Sequence, residues 1–144
     1  MENPKNLILV IFGASGDLTN RMLIPAIFSI KTQNLLPEKF AVIGVSRTEL
    51  TTEGFRKKMK EGIHTYSGGR VLNDDQVNAF CEMLSYISID ISSPPAYLKL
   101  KSFLTEIDKK SGTGGNYLFY MAIPPDMHQT VTNNLSLAGL GDQS

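Results

Sequence analysis

The sequence of 144 residues has a single cysteine, no excess of either charge and no long hydrophobic run. Lys and Arg together number 14, as do Asp and Glu, so there is no broad basic surface for a nucleic acid backbone. The apolar run Leu7 to Phe12 is too short to cross a membrane, and the polar start MENPKN lacks the basic lead-in of an export signal. These absences predict that the chain binds neither nucleic acid nor membrane, and that any anion site is local.

The single cysteine and the two histidines show neither a disulfide pair nor a metal-binding spacing. Cys81 has no partner for an internal disulfide, and a free thiol suits a reducing compartment, so the cytoplasm is the expected location. The cysteine lies in QVNAFCEML, where helical spacing favours a packing role over a nucleophilic one. His64 and His128 have no companion ligands at metal-binding spacing. The sequence therefore predicts no metal site.

Four short apolar segments have the composition of buried strands. They are LILVIF, FAVIGV, YISI and NYLFYMAI, which end at Phe12, Val45, Ile89 and Ile123. A continuous apolar run that stops at a glycine, as the first does at Gly13, is typical of a parallel strand covered on both faces.

Helical patterns fill the intervals between these segments. They run from Asp17 to about Gln33, from Thr51 or Thr52 to Gly62, from Asn73 to about Leu84, along the face Tyr97, Leu100, Leu104 and Ile107, and from Asp126 to Gly139. Pro25 is expected to kink the first helix. The alternation predicts an α/β domain: a doubly wound parallel sheet of the Rossmann type, partial, with about four strands and flanking helices.

The stretch FGASGDLTNRM follows the first predicted strand. Gly13 and Gly16 lie between strand and helix, where a dinucleotide-binding fold needs a tight turn and a close approach of the backbone to pyrophosphate. The spacing is G-x-x-G instead of G-x-G-x-x-G, so the motif alone fits an ordinary turn equally well. Its place before a helix N-terminus, whose N–H groups attract anions, favours a phosphate-binding loop. Asp17 is expected to cap that helix.

The end of the second predicted strand indicates which dinucleotide is bound. NAD enzymes place an acidic residue there to bind the ribose 2′-hydroxyl. This chain has Val45-Ser46-Arg47-Thr48, and the first acid is Glu49. An arginine can bind a 2′-phosphate through paired, charge-assisted hydrogen bonds, and Ser15 can add a hydroxyl. The pattern predicts NADP as the cofactor; the alternative is that Arg47 is a solvated surface residue.

The sequence resembles the amino-terminal coenzyme domain of the glucose-6-phosphate dehydrogenases. The matching segments are LVIFGASGDL, MLIPAIF, LLPEKFAVIGVSRTELT and YLFYMAIPPDMHQTVTNNL. The resemblance implies that residues 1–144 form one NADP-binding domain. It implies that the pyrophosphate is wrapped by Gly13, Ala14, Ser15, Gly16, Asp17, Leu18, Thr19 and Asn20. It further implies that Arg47 binds the 2′-phosphate and that Ala122 and His128 lie along the cofactor.

The same resemblance implies the reaction of the whole protein. The family oxidises the C1 hydroxyl of glucose 6-phosphate to 6-phosphogluconolactone and passes a hydride to NADP in the pentose phosphate pathway, and the parent protein is expected to be a cytoplasmic homo-oligomer. The family's EKPFG and RIDHYLGKE segments, the second carrying the general base, are not in the sequence. We therefore expect a truncated coenzyme domain without a substrate domain, without a catalytic residue and without turnover. Met22 stands where the family usually has a lysine.

Two other functions remain open at the level of the sequence. One is a stand-alone NADP-binding or regulatory module without catalysis, which a reading frame ending after Ser144 would favour. The other is a short-chain reductase, which needs a Tyr-x-x-x-Lys pair. Tyr97 and Lys101 have that spacing. They fall on an amphipathic helix with Tyr97 on its apolar face, and this favours packing over catalysis.

Overall fold

The computed structural model describes residues 6–16, 18–33, 35–36, 39–66, 72–113 and 115–140. Within them, four parallel strands form one sheet in the order β3-β2-β1-β4. The strands are β1 (Leu7–Phe12), β2 (Phe40–Ser46), β3 (Leu84–Ser88) and β4 (Tyr117–Met121). The first strand, β1, thus lies inside the sheet, between β2 and β4, as in a doubly wound fold. The predicted fold class is confirmed.

Five α-helices of the described residues cover the two faces of the sheet. They are α1 (Ile24–Thr32), α2 (Thr52–Thr65), α3 (Asp74–Cys81), α4 (Ala96–Ser111) and α5 (Pro125–Leu137). Helices α1, α2 and α3 pack on one face and α4 and α5 on the other. Within this described part, no helix has the length and apolar character needed to span a membrane.

The side chains of β1 alternate between two buried layers. Ile8, Val10 and Phe12 lie in the layer beneath α4 and α5, and Leu9 and Ile11 lie in the layer beneath α1, α2 and α3. A strand that is apolar at every position is stable only when both faces are covered, because each face exposed to water would lose the benefit of burial. The helices on both faces of the sheet therefore explain why β1 is apolar at every position.

The helix after β1 begins with a π-helical turn, Thr19–Leu23, which runs directly into α1. The N–H of Ile24 donates to Thr19 O, five residues back, as in a π-helix. Pro25 is the next residue and has no N–H to donate. The expected interruption of the helix at Pro25 therefore takes the form of a wider turn immediately before it.

Some predicted boundaries are wrong by a few residues. Gly62 does not end α2, which continues to Thr65, because this glycine is where Asn20 packs closely against the helix. The helix predicted to reach Leu84 ends at Cys81, since Leu84 pairs with Val42 as the first residue of β3. The strand expected to end at Ile123 stops at Met121, ahead of the two prolines.

The predicted N-caps of α2 and α3 are confirmed. Thr51 Oγ1 accepts from Gly54 N–H at 3.0 Å, and Asn73 Oδ1 accepts from Gln76 N–H at 3.1 Å.

Candidate functional site

The carboxyl ends of β1, β2 and β4 meet around Gly13. Its N–H donates to Val45 O at 2.8 Å, which joins the loop after β1 to the end of β2. Its φ is +84°, and a Cβ built on it would overlap Ala122 O and lie 2.9 Å from the Ala122 carbonyl carbon. Only glycine allows both the turn and this approach to the end of β4. Gly13 thus brings together the three loops in which the sequence predicts coenzyme contacts.

The loop after β1 is closed by its own hydrogen bonds. Gly16 N–H donates to Gly13 O at 3.0 Å, and Thr19 Oγ1 donates to the same carbonyl at 3.3 Å. The Thr19 side chain is buried, so its hydroxyl holds the loop and does not face solvent. Gly16 lies on the exposed side of the loop. Asp17, also predicted to contact the coenzyme, lies outside the described residues.

Two further residues of the predicted loop direct their side chains into the protein. Ala14 is fully buried in the layer beneath α2. Asn20 Oδ1 is buried against Gly62 of α2 and has no hydrogen-bond partner among the described groups. Leu18, in contrast, is 48% exposed at the start of the π-helical turn. The Ala14 and Asn20 side chains thus pack the loop against α2, and their predicted contacts with a coenzyme stay predictions.

Ser15 connects the loop to the end of β2 through hydroxyl groups. Its Oγ accepts a hydrogen bond from Ser46 Oγ at 3.0 Å and lies 2.9 Å from Thr48 Oγ1. Ser46 is buried, Ser15 is half-buried and Thr48 is exposed, so the hydroxyls lead from the interior to the surface. Lys58 of α2 donates from Nζ to Ser15 O at 2.7 Å and holds the same residue from the other side.

Tyr86 of β3 lies at the buried end of these hydroxyls. Its hydroxyl group makes a short hydrogen bond with Ser46 Oγ and donates to Thr48 O at 2.7 Å. Burial raises the pKa of the Tyr86 hydroxyl, and the hydrogen bond with Ser46 opposes this effect. The phenol is therefore protonated at neutral pH and available as a donor.

Arg47 lies between Ser46 and Thr48, immediately after β2, and its side chain is exposed. Its own carbonyl accepts from Ser88 Oγ at 3.3 Å, which ties the segment to the end of β3. The backbone of Arg47 is thus fixed on both sides while its guanidinium group faces solvent. An exposed guanidinium group fits both predicted alternatives, a residue that binds an anionic ligand and a solvated surface arginine.

The remaining predicted residues lie at the end of β4 and the start of α5. Ala122 is half-buried, and its N–H donates to Phe12 O at 2.9 Å. His128 is in the first turn of α5, with Nε2 3.1 Å from Ile123 O, an acceptor that fixes the ring when Nε2 is protonated. Both residues border the same edge of the sheet as Gly13. Their predicted contacts with a coenzyme stay predictions.

Neither a metal centre nor a reactive thiol is present in the part of the chain that the structure describes. No group of three or more His, Cys, Asp or Glu side chains there could hold a metal ion. Cys81, the last residue of α3, is buried, and this burial raises its pKa although Lys60 and Arg56 act in the opposite direction. A raised pKa disfavours the nucleophilic thiolate, in agreement with a packing role.

Four residues at this site were not predicted as such from the sequence: Ser46, Thr48, Lys58 and Tyr86. Ser46 and Tyr86 fall within strands, where they look like ordinary strand residues. A signal was present in the alternation of β2, which places Ser46 on the same face as Gly44, and Gly44 pairs with Tyr86 in register. Lys58 carries no comparable signal, because its contact spans 43 residues of sequence.

Comparison with known proteins supplies the family. Residues 10–144 match the family described as the glucose-6-phosphate dehydrogenase NAD-binding domain. The glucose-6-phosphate 1-dehydrogenase of Treponema pallidum is 35% identical over 130 residues, 90% of this chain and 25% of that protein. The enzyme of Aggregatibacter actinomycetemcomitans is 36% identical over 139 residues, 96% of this chain and 28% of that protein.

Solved structures agree with these relatives. A glucose-6-phosphate dehydrogenase in complex with its substrate glucose 6-phosphate superposes with a TM-score of 0.83 at 30% identity, covering 99% of this chain and 29% of that one. The enzyme of Mycobacterium avium gives a TM-score of 0.75 at 26% identity, with 97% and 28% coverage. The chain spans about a quarter of the length of the curated relatives it matches. On the family match, the identities and the shared fold, the chain belongs to the glucose-6-phosphate dehydrogenase family and corresponds to its coenzyme-binding domain.

Proposed function

We propose that the chain binds NADP at the carboxyl ends of β1, β2 and β4, with Arg47 holding the adenosine 2′-phosphate. The observation that carries the proposal is the position of Arg47: its exposed side chain follows β2 directly, and its neighbour Thr48 lies within hydrogen-bond distance of Ser15 in the glycine loop. A guanidinium and two hydroxyls form a donor set that fits a phosphate dianion. A ribose 2′-hydroxyl would call for an acidic residue instead.

The rest of the cofactor would follow the glycine loop. Gly16 lies on the exposed side of the turn, where the absence of a side chain lets a pyrophosphate approach the backbone. The nicotinamide half of the cofactor would extend past Ala122 and His128, at the end of β4 and the start of α5. NADP supplies a hydride acceptor when it is bound. The residues of this chain bind the cofactor and orient it at the strand ends.

Because its relatives are glucose-6-phosphate dehydrogenases, we extend the proposal to the whole protein. The coenzyme domain would accept the hydride removed from C1 of glucose 6-phosphate, a step in the pentose phosphate pathway. The base and the sugar-binding residues would lie in the part of the relatives that this chain does not span. A cytoplasmic location, which the free thiol of Cys81 supports, and assembly as a homo-oligomer belong to the same proposal.

Replacement of Arg47 with alanine tests the choice of cofactor. Arg47→Ala should weaken NADP binding by roughly 1.5–3 kcal/mol, the range for a hydrogen bond to a charged group, and should leave NAD binding almost unchanged. Isothermal titration calorimetry with each dinucleotide measures both effects. Lys57→Ala is the control, because it removes one positive charge from the exposed side of α2. Equal losses for NADP and NAD would contradict the role of Arg47 at the 2′-phosphate.

A further inference from the structure

One tyrosine hydroxyl holds both neighbours of Arg47. Tyr86 bonds to the side chain of Ser46 on one side of the arginine and donates to the backbone carbonyl of Thr48, 2.7 Å away, on the other. Thr48 N–H also donates to Ser46 Oγ at 3.3 Å, so the segment forms a tight turn around the tyrosine. The buried Tyr86 hydroxyl therefore contributes, together with Ser88, to the direction in which the backbone presents Arg47.

Tyr86 is itself held by two residues of α2. Thr52 Oγ1, at the start of α2, accepts from Tyr86 N–H at 3.1 Å and donates to Tyr86 O at 3.4 Å. The Tyr86 ring packs on Phe55, with centroids 5.1 Å apart. The ring is thus fixed by contacts that a phenylalanine would keep. The hydroxyl, which phenylalanine lacks, is the part of the Tyr86 side chain that bonds to Ser46 and Thr48.

The hydrogen bonds among the hydroxyl groups of Tyr86, Ser46, Ser15 and Thr48 leave one O–H donor at the surface. Ser46 donates its proton to Ser15, so the proton between Ser46 and Tyr86 belongs to Tyr86, which shares it with Thr48 O. The contact between Ser15 and Thr48 then uses one of their two protons. The other is left as a donor on the exposed side, next to Arg47. Donors in a row polarise one another, which strengthens the last one.

We propose that Tyr86 is a specificity-determining positioning residue for the 2′-phosphate: through Ser46 and Thr48 it orients Arg47 and directs a hydroxyl donor of Ser15 or Thr48 toward the phosphate. The inference rests on the proposed function and deepens it. The discrimination between a ribose 2′-phosphate and a free 2′-hydroxyl would then depend on a chain of hydroxyl groups. This chain begins at Tyr86, 39 residues after Arg47 in the sequence. Tyr86 itself does not touch the ligand.

The test compares Tyr86→Phe with Tyr97→Phe. Tyr97 is also buried, and its hydroxyl donates to a backbone carbonyl, that of Ile91, at the same distance of 2.7 Å. Calorimetric titration of the full chain with adenosine 2′,5′-bisphosphate and with 5′-AMP isolates the 2′-phosphate, and thermal unfolding of each variant measures stability. We expect Tyr86→Phe to weaken binding of the bisphosphate roughly tenfold and to leave 5′-AMP unchanged, because one chain of hydrogen bonds to the phosphate is lost. Tyr97→Phe should change neither affinity.

The ratio of the two affinities separates the outcomes, since a variant that is merely less stable loses both ligands in parallel. A Tyr86→Phe variant that retains the wild-type ratio would overturn the role of Tyr86 and leave NADP binding through Arg47 intact. A wild-type chain with equal affinity for the bisphosphate and 5′-AMP would overturn the proposed function itself. If Tyr86→Phe does not fold, Ser46→Ala interrupts the same chain at its next hydroxyl and must reduce the ratio in the same direction.

Discussion

At the scale of single residues, the site depends on Gly13, where both the backbone conformation and the close contact with β4 require the absence of a side chain. Gly13 has a φ of +84°, and any Cβ on it would overlap Ala122 O and lie 3.0 Å from Ile123 Cγ2. The first cost is one of backbone conformation and the second one of packing. The end of β1 can approach the end of β4 only because neither cost is incurred.

Replacement of Gly13 with alanine should therefore destabilise the fold more than the same change at Gly115. Gly115 has a similar φ of +78°, but a Cβ on it would meet nothing within 4 Å. Both variants incur roughly 1–2 kcal/mol for a left-handed non-glycine residue, and Gly13→Ala adds about 1–3 kcal/mol of overpacking. Urea unfolding followed by circular dichroism gives both losses of unfolding free energy. Equal losses would show that the backbone at Ala122 yields without cost.

At the scale of elements, helix α2 is the support of the glycine loop. Lys58 reaches Ser15 O from one turn of α2, and Gly62 lies against Asn20 one turn later. A glycine inside a helix costs about 1 kcal/mol relative to alanine, so its presence needs a reason. The reason is space, because the π-helical turn that carries Asn20 packs directly on the backbone of α2.

The two glycines of α2 therefore respond differently to alanine. At Gly62 a Cβ would overlap Asn20 Oδ1 and lie 2.9 Å from the backbone oxygen of the same residue, so the gain in helix propensity is outweighed by about 1–3 kcal/mol of overpacking. At Gly54 the nearest atom is the flexible end of Leu50, 2.9 Å away, which can move. We expect Gly62→Ala to lower the melting temperature and Gly54→Ala to leave it unchanged or raise it. A rise for Gly62→Ala would mean that the π-helical turn shifts freely.

The elements also show where inference from sequence stops. Strand β1 and the N-caps Thr51 and Asn73 depend on neighbouring residues or on uniform burial, and they were predicted correctly. Gly62 was predicted to end a helix because glycine commonly does so. Its actual neighbour, Asn20, is 42 residues away in the sequence, so no local pattern announces it.

The same limit applies to the candidate site. The placement of Gly13 and Arg47 at one edge of the sheet could be predicted because the ends of parallel strands meet there, and this depends on topology alone. The inward direction of Ala14 and Asn20, and the contacts of Tyr86, depend on how α2 and β3 pack against the loop. Packing of this kind is set by residues far apart in the sequence.

At the scale of the whole molecule, the described sheet ends in a strand with one uncovered face. Strand β4 pairs with β1 and with no other described strand, and along it half-buried and exposed positions alternate. Tyr117, Phe119 and Met121 pack toward α4 and α5, whereas Leu118 is 57% exposed and Tyr120 41% exposed. An apolar edge strand with free N–H and C=O groups is a template for pairing with a second chain.

We therefore expect the 144-residue chain to self-associate through β4 at high concentration, and Leu118→Lys to oppose this. A lysine on the exposed face of an edge strand introduces a charge that would be buried on pairing, which disfavours association without loss of a buried contact. Leu98→Lys is the matched control, because Leu98 is 63% exposed but lies on α4, away from the sheet edge. Sedimentation velocity over a range of concentrations should show weaker association for Leu118→Lys and wild-type association for Leu98→Lys. Equal reduction by both lysines would assign the effect to net charge, and an unchanged profile for Leu118→Lys would place the contact elsewhere on the molecule.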